Sequence, residues 1–176
     1  MGRETPEPEP QWLDADEQQA WRAYLHASRL LEAAMDRDLQ SRGLQLSEYE
    51  IIAALSEASD RRLRMSAIAD WVGQSRSRLT HAAGRLEKRG WVRREVCAAD
   101  RRGVDMVLTD AGWDAVVETA PTHVHSVRAS LVDPLSREEF LALGRAMGAV
   151  RRGIESRGIE SREGVDGDLT AEEQPA

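Results

Sequence analysis

Met65-Ser66-Ala67-Ile68-Ala69-Asp70-Trp71-Val72-Gly73 runs directly into Gln74-Ser75-Arg76-Ser77-Arg78-Leu79-Thr80-His81-Ala82-Ala83-Gly84-Arg85-Leu86-Glu87-Lys88-Arg89-Gly90. In the first part Ser66 stands at an N-cap position, Ile68, Ala69 and Val72 share one side, and Gly73 occupies the place of a left-handed C-terminal residue. That pattern predicts a short helix and a sharp turn. The second part predicts a longer helix capped by Ser75 and stopped at Gly90. At about 100° per residue, Leu79, Ala82, Ala83 and Leu86 fall on one face, opposite Ser77, His81, Gly84 and Lys88.

The outward face of the second helix is polar, basic and small. Small residues allow a close approach to a groove floor, and Arg or His at the margins can donate to base edges or phosphates. Downstream, Trp91-Val92-Arg93-Arg94-Glu95-Val96 and Val104-Asp105-Met106-Val107-Leu108 read as strands around a turn-rich tip, Cys97-Ala98-Ala99-Asp100-Arg101-Arg102-Gly103. Helix, turn, helix and basic hairpin together predict a winged helix-turn-helix.

Net charge is −7, which by itself opposes a nucleic-acid partner. Its distribution reverses that inference. Residues 60–102 contain 12 basic and 5 acidic side chains, a local +7 that leaves −14 for the rest. A basic face on an acidic body orients the approach to DNA and limits indiscriminate adhesion.

Three pieces carry a family resemblance: Arg85-Leu86-Glu87-Lys88-Arg89-Gly90-Trp91-Val92-Arg93-Arg94, then Asp100-Arg101-Arg102-Gly103, then Leu108-Thr109-Asp110-Ala111-Gly112. In order and spacing they resemble the MarR family of bacterial transcription regulators, and the likeness extends more loosely over residues 15–152. The resemblance implies a homodimeric repressor of double-stranded DNA whose affinity responds to small molecules. It also implies that the N-terminal half of the second helix enters the major groove. The expected DNA contacts are Gln74, Ser75, Arg76, Ser77, Arg78, Thr80, His81 and Arg85. At the wing tip Arg101 and Arg102 are expected to reach the minor groove. Asp100 either supports a neighbouring arginine or simply starts a tight turn.

Upstream, residues 1–13 are Pro/Glu-rich without apolar periodicity and are expected to form a disordered tail. Asp14 and Glu17 then cap a long helix carrying Trp21, Tyr24, Leu25, Leu31, Met35 and Leu39, ended by Gly43. Ser47 to Glu50 predicts a capping box for the next helix, whose Ile51, Ile52 and Leu55 start the core. Residues 60–64 predict a polar turn and a short strand beside the wing. After the wing, Thr109 caps a helix with Trp113, Val116, Val117 and Ala120, and Pro121 predicts a kink or short break. Val124, Val127 and Leu131 resume the stripe. Ser136 and Glu139 cap a last helix with Phe140, Leu143, Met147 and Val150.

The fold expected is therefore mainly α with a small β wing. Residues 44–108 form the DNA-binding domain, 14–43 and 109–152 a helical dimerisation region, and 153–176 a low-complexity disordered tail. A dimer would present its two reading helices about 34 Å apart, to a pseudo-palindromic operator. Trp21, Tyr24, His26 and Arg29 have the chemistry to hold a small aromatic or phenolic effector, and the same positions also suit a packed stripe.

One cysteine rules out an intramolecular disulfide and a multi-cysteine zinc site, and no apolar run approaches membrane-spanning length, so a cytoplasmic protein without membrane contact is expected. Arg93 and Arg94 near Cys97 would favour its thiolate. His123 and His125 diverge on a helix, so no metal is assigned. No cofactor is expected either. With no nucleophile elbow, phosphate-binding glycine loop or His/Glu metal motif, the sequence does not read as an enzyme. The alternative within DNA binding is an architectural protein without sequence preference.

Overall fold

The computed structural model describes residues 10–97 and 103–168, with side chains as far as residue 157. The chain forms two compact units, residues 1–127 and 128–176. In the first, helix α1 (Ala15–Gln40) is opened by the capping box of Asp14 and Glu17. The Glu17 amide donates to Asp14 Oδ1 at 2.8 Å, and the Asp14 amide donates to Glu17 Oε2 at 2.9 Å.

Helix α2 (Leu46–Glu57) starts earlier than the Ser47 box predicts. Its start is fixed by one bond from α1 and by a local box between Gln45 and Glu48. The Leu46 amide donates to Asp36 Oδ1 of α1 at 2.8 Å, and the Gln45 amide donates to Glu48 Oε2 at 3.0 Å. A three-residue strand, β1 (Arg62–Arg64), passes straight into α3 (Met65–Val72). Ser66 is consequently inside the helix and Arg64 is at the cap position, with no side-chain cap bond. Gly73 takes φ +62°, as its place at the turn requires. Ser75 then caps α4 (Arg76–Lys88), its Oγ accepting the Arg78 amide at 3.3 Å.

Strands β2 (Val92–Val96) and β3 (Val104–Leu108) complete an antiparallel sheet of order β1-β3-β2. Arg94 lies opposite Met106, whereas Glu95 lies opposite Asp105. Paired residues share a sheet face, so Arg94 lies with the core side and Glu95 with the other. Leu39 and Leu44 join Ile51, Ile52 and Leu55 of α2, Ile68 of α3, Leu79, Ala82, Ala83 and Leu86 of α4, and Met106 of β3 in one core. The periodicity of α4 thus translates directly into its buried face.

Helix α5 (Asp110–Val127) is started by Thr109, whose Oγ1 accepts the Gly112 amide at 3.0 Å. Of the kink or short break expected at Pro121, the break is absent: the helix continues through it. Proline removes the donor for the carbonyl four residues back, that of Val117. The buried side of α5 carries Ala115, Val116, Thr119 and Ser126.

In the second unit, Arg128–Val132 forms a π-helical turn and α6 spans Arg137–Asp168. Ser136 and Glu139 form the expected box: the Ser136 amide donates to Glu139 Oε2 at 2.8 Å. Residues 153–168, expected in a low-complexity disordered tail, continue α6. Arg151 pairs with Glu155 at 2.7 Å, one turn along, and Arg157 Nε donates to the Gly153 carbonyl at 3.0 Å. Such contacts across a turn support a helix through glycine. Residues 169–176 lie outside the described residues.

Candidate nucleic-acid interface

Burial of Leu79, Ala82, Ala83 and Leu86 fixes the rotation of α4 and leaves Ser75, Arg76, Ser77, Arg78, Thr80 and His81 exposed. These six of the expected contact residues lie on the first turns of one helix. The Thr80 hydroxyl donates back to the Arg76 carbonyl at 2.8 Å.

Two other expected contacts are turned to α2. Arg85 Nε donates to Glu48 Oε1 at 2.6 Å, and a second guanidinium nitrogen donates to Gln45 Oε1 at 2.8 Å. Glu48 is 1% exposed, so Arg85 neutralises a buried carboxylate. Gln74 is half-buried and donates through Nε2 to Glu50 Oε2 at 3.4 Å. Sequence periodicity places Arg85 beside the outward face of α4, and Gln74 stands just before its cap, yet a charged partner brought close by folding captures each side chain.

Burial raises the Glu50 carboxyl above its usual range; the Gln74 bond opposes the shift and Glu32 adds to it. These residues belong to a groove of about 790 Å³ between α1, α2 and α4. Arg29, Glu32 and Asp36 face it from α1, and Arg78, His81 and Arg85 from α4. Of the four residues proposed for an effector, Arg29 lines this groove. Trp21, Tyr24 and His26 do not; Trp21 and Tyr24 instead stack on each other at 5.9 Å, each about half exposed.

On the wing sheet, Glu95 accepts from Arg93 Nε at 2.6 Å and from Arg62, which also reaches Asp105 at 3.3 Å. The Arg93 bond, followed by that to Arg62, holds the Glu95 carboxyl below its usual range. Arg94, on the opposite face, donates to the Thr80 carbonyl of α4 at 3.2 Å and approaches Glu87 at 3.4 Å. Two arginines of the basic segment, Arg62 and Arg93, are therefore committed to carboxylates within the sheet. The Cys97 amide closes the wing neck on the Gly103 carbonyl at 2.9 Å. Asp100, Arg101 and Arg102 lie outside the described residues.

Cys97 is buried, with Arg64 donating to its Sγ at 3.4 Å. His123 stacks on Tyr49 at 4.5 Å between ring centroids, and burial holds its imidazole below its ordinary value. Among the described residues, no group of three or more His, Cys, Asp or Glu is placed to hold a metal ion. No helix among them is long and apolar enough to cross a membrane.

Comparison with known proteins agrees with this arrangement. The MarR family profile matches residues 42–103. The HTH-type transcriptional regulator PecS of Dickeya dadantii is 31% identical over 126 residues, covering 71% of this chain and 75% of PecS. A crystal structure of Sco3205, a MarR family transcriptional regulator from Streptomyces coelicolor, in complex with DNA, superposes with a TM-score of 0.77 at 46% identity. The match covers 82% of this chain and 91% of that one. AbsC, another MarR family regulator from Streptomyces coelicolor, has a TM-score of 0.77 at 41% identity, covering 84% of this chain and 99% of its own.

Proposed function

Because the chain belongs to the MarR family of transcriptional regulators, we propose that it acts as a cytoplasmic homodimeric repressor, placing α4 of each protomer in successive major grooves of a pseudo-palindromic operator. The observation that carries this reading is the split of α4 into a buried apolar side and an exposed side bearing Arg76, Ser77, Arg78, Thr80 and His81. Arg78 and His81 contact base edges, and Ser77 permits close approach. Gln74 and Arg85 hold α4 on α2, so they set its angle instead of reading DNA.

Dimerisation is supported by apolar side chains left exposed within each unit, Trp21, Tyr24 and Leu30 on α1 and Leu141, Val150 and Ile154 on α6. A second copy covers them. A small aromatic or phenolic effector enters the groove between α1 and α4. There it meets Arg29 and also Arg78 and His81, two groups needed for DNA. The protein has no catalytic role in this scheme.

Fluorescence anisotropy of the full-length protein tests the reading. A duplex enriched by the wild type from a random pool is compared with a scrambled duplex at two salt concentrations. Preference of about a thousandfold or more, with affinity falling as salt rises, is the expected result. Equal affinity for both duplexes identifies an architectural protein, and no binding to either removes the DNA reading of α4.

A further inference from the structure

Helix α5 is joined to the DNA-binding layer at its first turn, through two attachments. The first is made to the turn between α4 and β2. The Thr109 hydroxyl donates to the Gly90 carbonyl at 2.7 Å and lies 3.1 Å from that of Trp91, and the Thr109 amide donates to the Trp91 carbonyl at 3.0 Å. Gly112 has no room for a Cβ against the same carbonyl. The start of α5 is therefore seated directly on the turn that ends α4.

The second attachment comes from the turn Ser59–Arg61, between α2 and β1. The Arg61 guanidinium lies over the Trp113 ring, 4.2 Å from its centroid, and donates to Asp110 Oδ1 at 3.1 Å. Trp113 packs against the core, which makes its ring a fixed plate, whereas the Asp110 side chain is fully exposed. Asp60 and Arg61 take φ +57° and +51°, in the left-handed region that residues with a Cβ seldom adopt. Two such residues in succession persist only where the surrounding contacts over-determine them. This turn delivers the Arg61 guanidinium to Trp113.

We propose that Arg61 is a positioning residue that sets which spacing of two half-sites the protein accepts, by locking the DNA-binding layer to α5 through Trp113 and Asp110. The inference rests on the homodimer with α4 as its reading helix. Helix α5 packs along α1, and α1 carries Trp21, Tyr24 and Leu30, part of the surface assigned above to the second copy. The angle between α5 and α4 then fixes how far apart, and how rotated, the two copies of α4 stand. Arg61 touches no DNA in this role, because its guanidinium is engaged by the ring and the carboxylate. Inserting or removing one base pair between half-sites moves them by about 3.4 Å and turns them by about 34°. A rigid joint cannot follow that change, and a loosened joint can.

The test compares full-length wild type, Arg61→Asn and Asp110→Ala by anisotropy on three duplexes: the enriched one, and two versions with one base pair inserted or removed at its centre. Asparagine tolerates the left-handed backbone better than most residues, so Arg61→Asn removes the cation without adding strain. Melting curves confirm folding, and Asp110→Ala alters only an exposed side chain, which keeps the test intact if Arg61→Asn fails to fold. The wild type is expected to bind both altered duplexes at least about tenfold more weakly than the enriched one. A cation–π contact and an exposed ion pair are each worth about two- to fivefold in an equilibrium. Arg61→Asn is therefore expected to narrow the gap about fivefold and Asp110→Ala about twofold, by improved binding to the altered duplexes relative to the enriched one.

A wild-type gap in folded Arg61→Asn, or in Asp110→Ala where Arg61→Asn does not fold, overturns the proposal and leaves Arg61 as a stabilising residue alone. Equal weakening on all three duplexes, with the slope of log affinity against log salt lowered by about 0.9, also overturns it, because Arg61 then contacts a phosphate. Light scattering at the assay concentration separates failure of the proposal from failure of the reading beneath it. A monomeric wild type, or one that binds no duplex, removes the homodimer reading and the spacing role with it. A DNA-binding dimer indifferent to the inserted or removed base pair overturns the spacing role and leaves the homodimer standing.

Discussion

Replacing Arg85 with Ala removes the countercharge from a carboxylate that is almost fully enclosed, Glu48 at 1% exposure and 2.6 Å from Arg85 Nε. Breaking a buried ion pair from one side costs roughly 3–5 kcal/mol when both partners are enclosed. Here the Arg85 side chain is 45% exposed, so solvent screens part of the interaction. We expect a loss of about 2 kcal/mol after that discount. In urea this corresponds to a midpoint lower by about 1 M if the slope m is about 2 kcal/mol per M. Melting should fall by about 4–8 °C at this chain length. Protein concentration must be held constant, since the apparent stability of the proposed dimer would depend on it.

The same variant decides what Arg85 does. As a brace between α4 and α2, its removal should leave the salt slope of DNA binding unchanged when measured well below the melting transition. A double variant, Arg85→Met with Glu48→Leu, should recover most of the lost stability, because a packed apolar pair can replace a buried ionic one. A urea midpoint shifted by less than the equivalent of about 0.5 kcal/mol refutes the brace, that margin being ordinary for surface substitutions. A slope reduced by about 0.9 instead shows that Arg85 swings to a phosphate in the complex.

Arg78→Ala should erode the preference for the enriched duplex by roughly 1–3 kcal/mol, read as the ratio of anisotropy affinities; an equal loss on both duplexes would make Arg78 a phosphate contact instead. Gly112→Ala should destabilise by about 3 kcal/mol or more, because the added Cβ would collide with the Trp91 carbonyl oxygen, a backbone atom with little freedom to retreat. A urea midpoint equal to that of the wild type contradicts this packing. For His123, the folded imidazole lies below its ordinary value of 6.5, so its contribution to stability is present above that pH and is lost as pH falls from there through the folded pKa. His123→Phe should flatten the decline in urea midpoint between pH 7.5 and 5.5, and an unaltered decline places the sensitivity elsewhere.

Much of the architecture is set by signals that act within a few residues. Asp14 with Glu17, Ser75, Thr109 and Ser136 with Glu139 cap helices in the structure at the places their side chains indicate. Gly73 marks the turn between α3 and α4 through its positive φ. The apolar period of α4 selects the side that is buried, and hence which residues are offered outward. Local rules fail where another partner competes: Asp36 of α1 holds the Leu46 amide and Gln45 with Glu48 forms its own box, so α2 starts ahead of Ser47, while α5 runs on through Pro121.

By itself, the sequence determined the helix-turn-helix, the two long wing strands, the basic segment and the side of α4 that faces out, because capping, periodicity and charge are written in neighbouring residues. Tertiary structure alone decided what the arginines do. Arg85 is 37 positions from Glu48, and Arg62 is 33 from Glu95 and 43 from Asp105, separations over which no local pattern indicates a partner. Likewise Arg61 meets Trp113, and Asp110 49 positions away, only because folding returns the start of α5 to the turn before β1. A guanidinium looks the same in the chain whichever partner it meets; packing decides what comes within its reach.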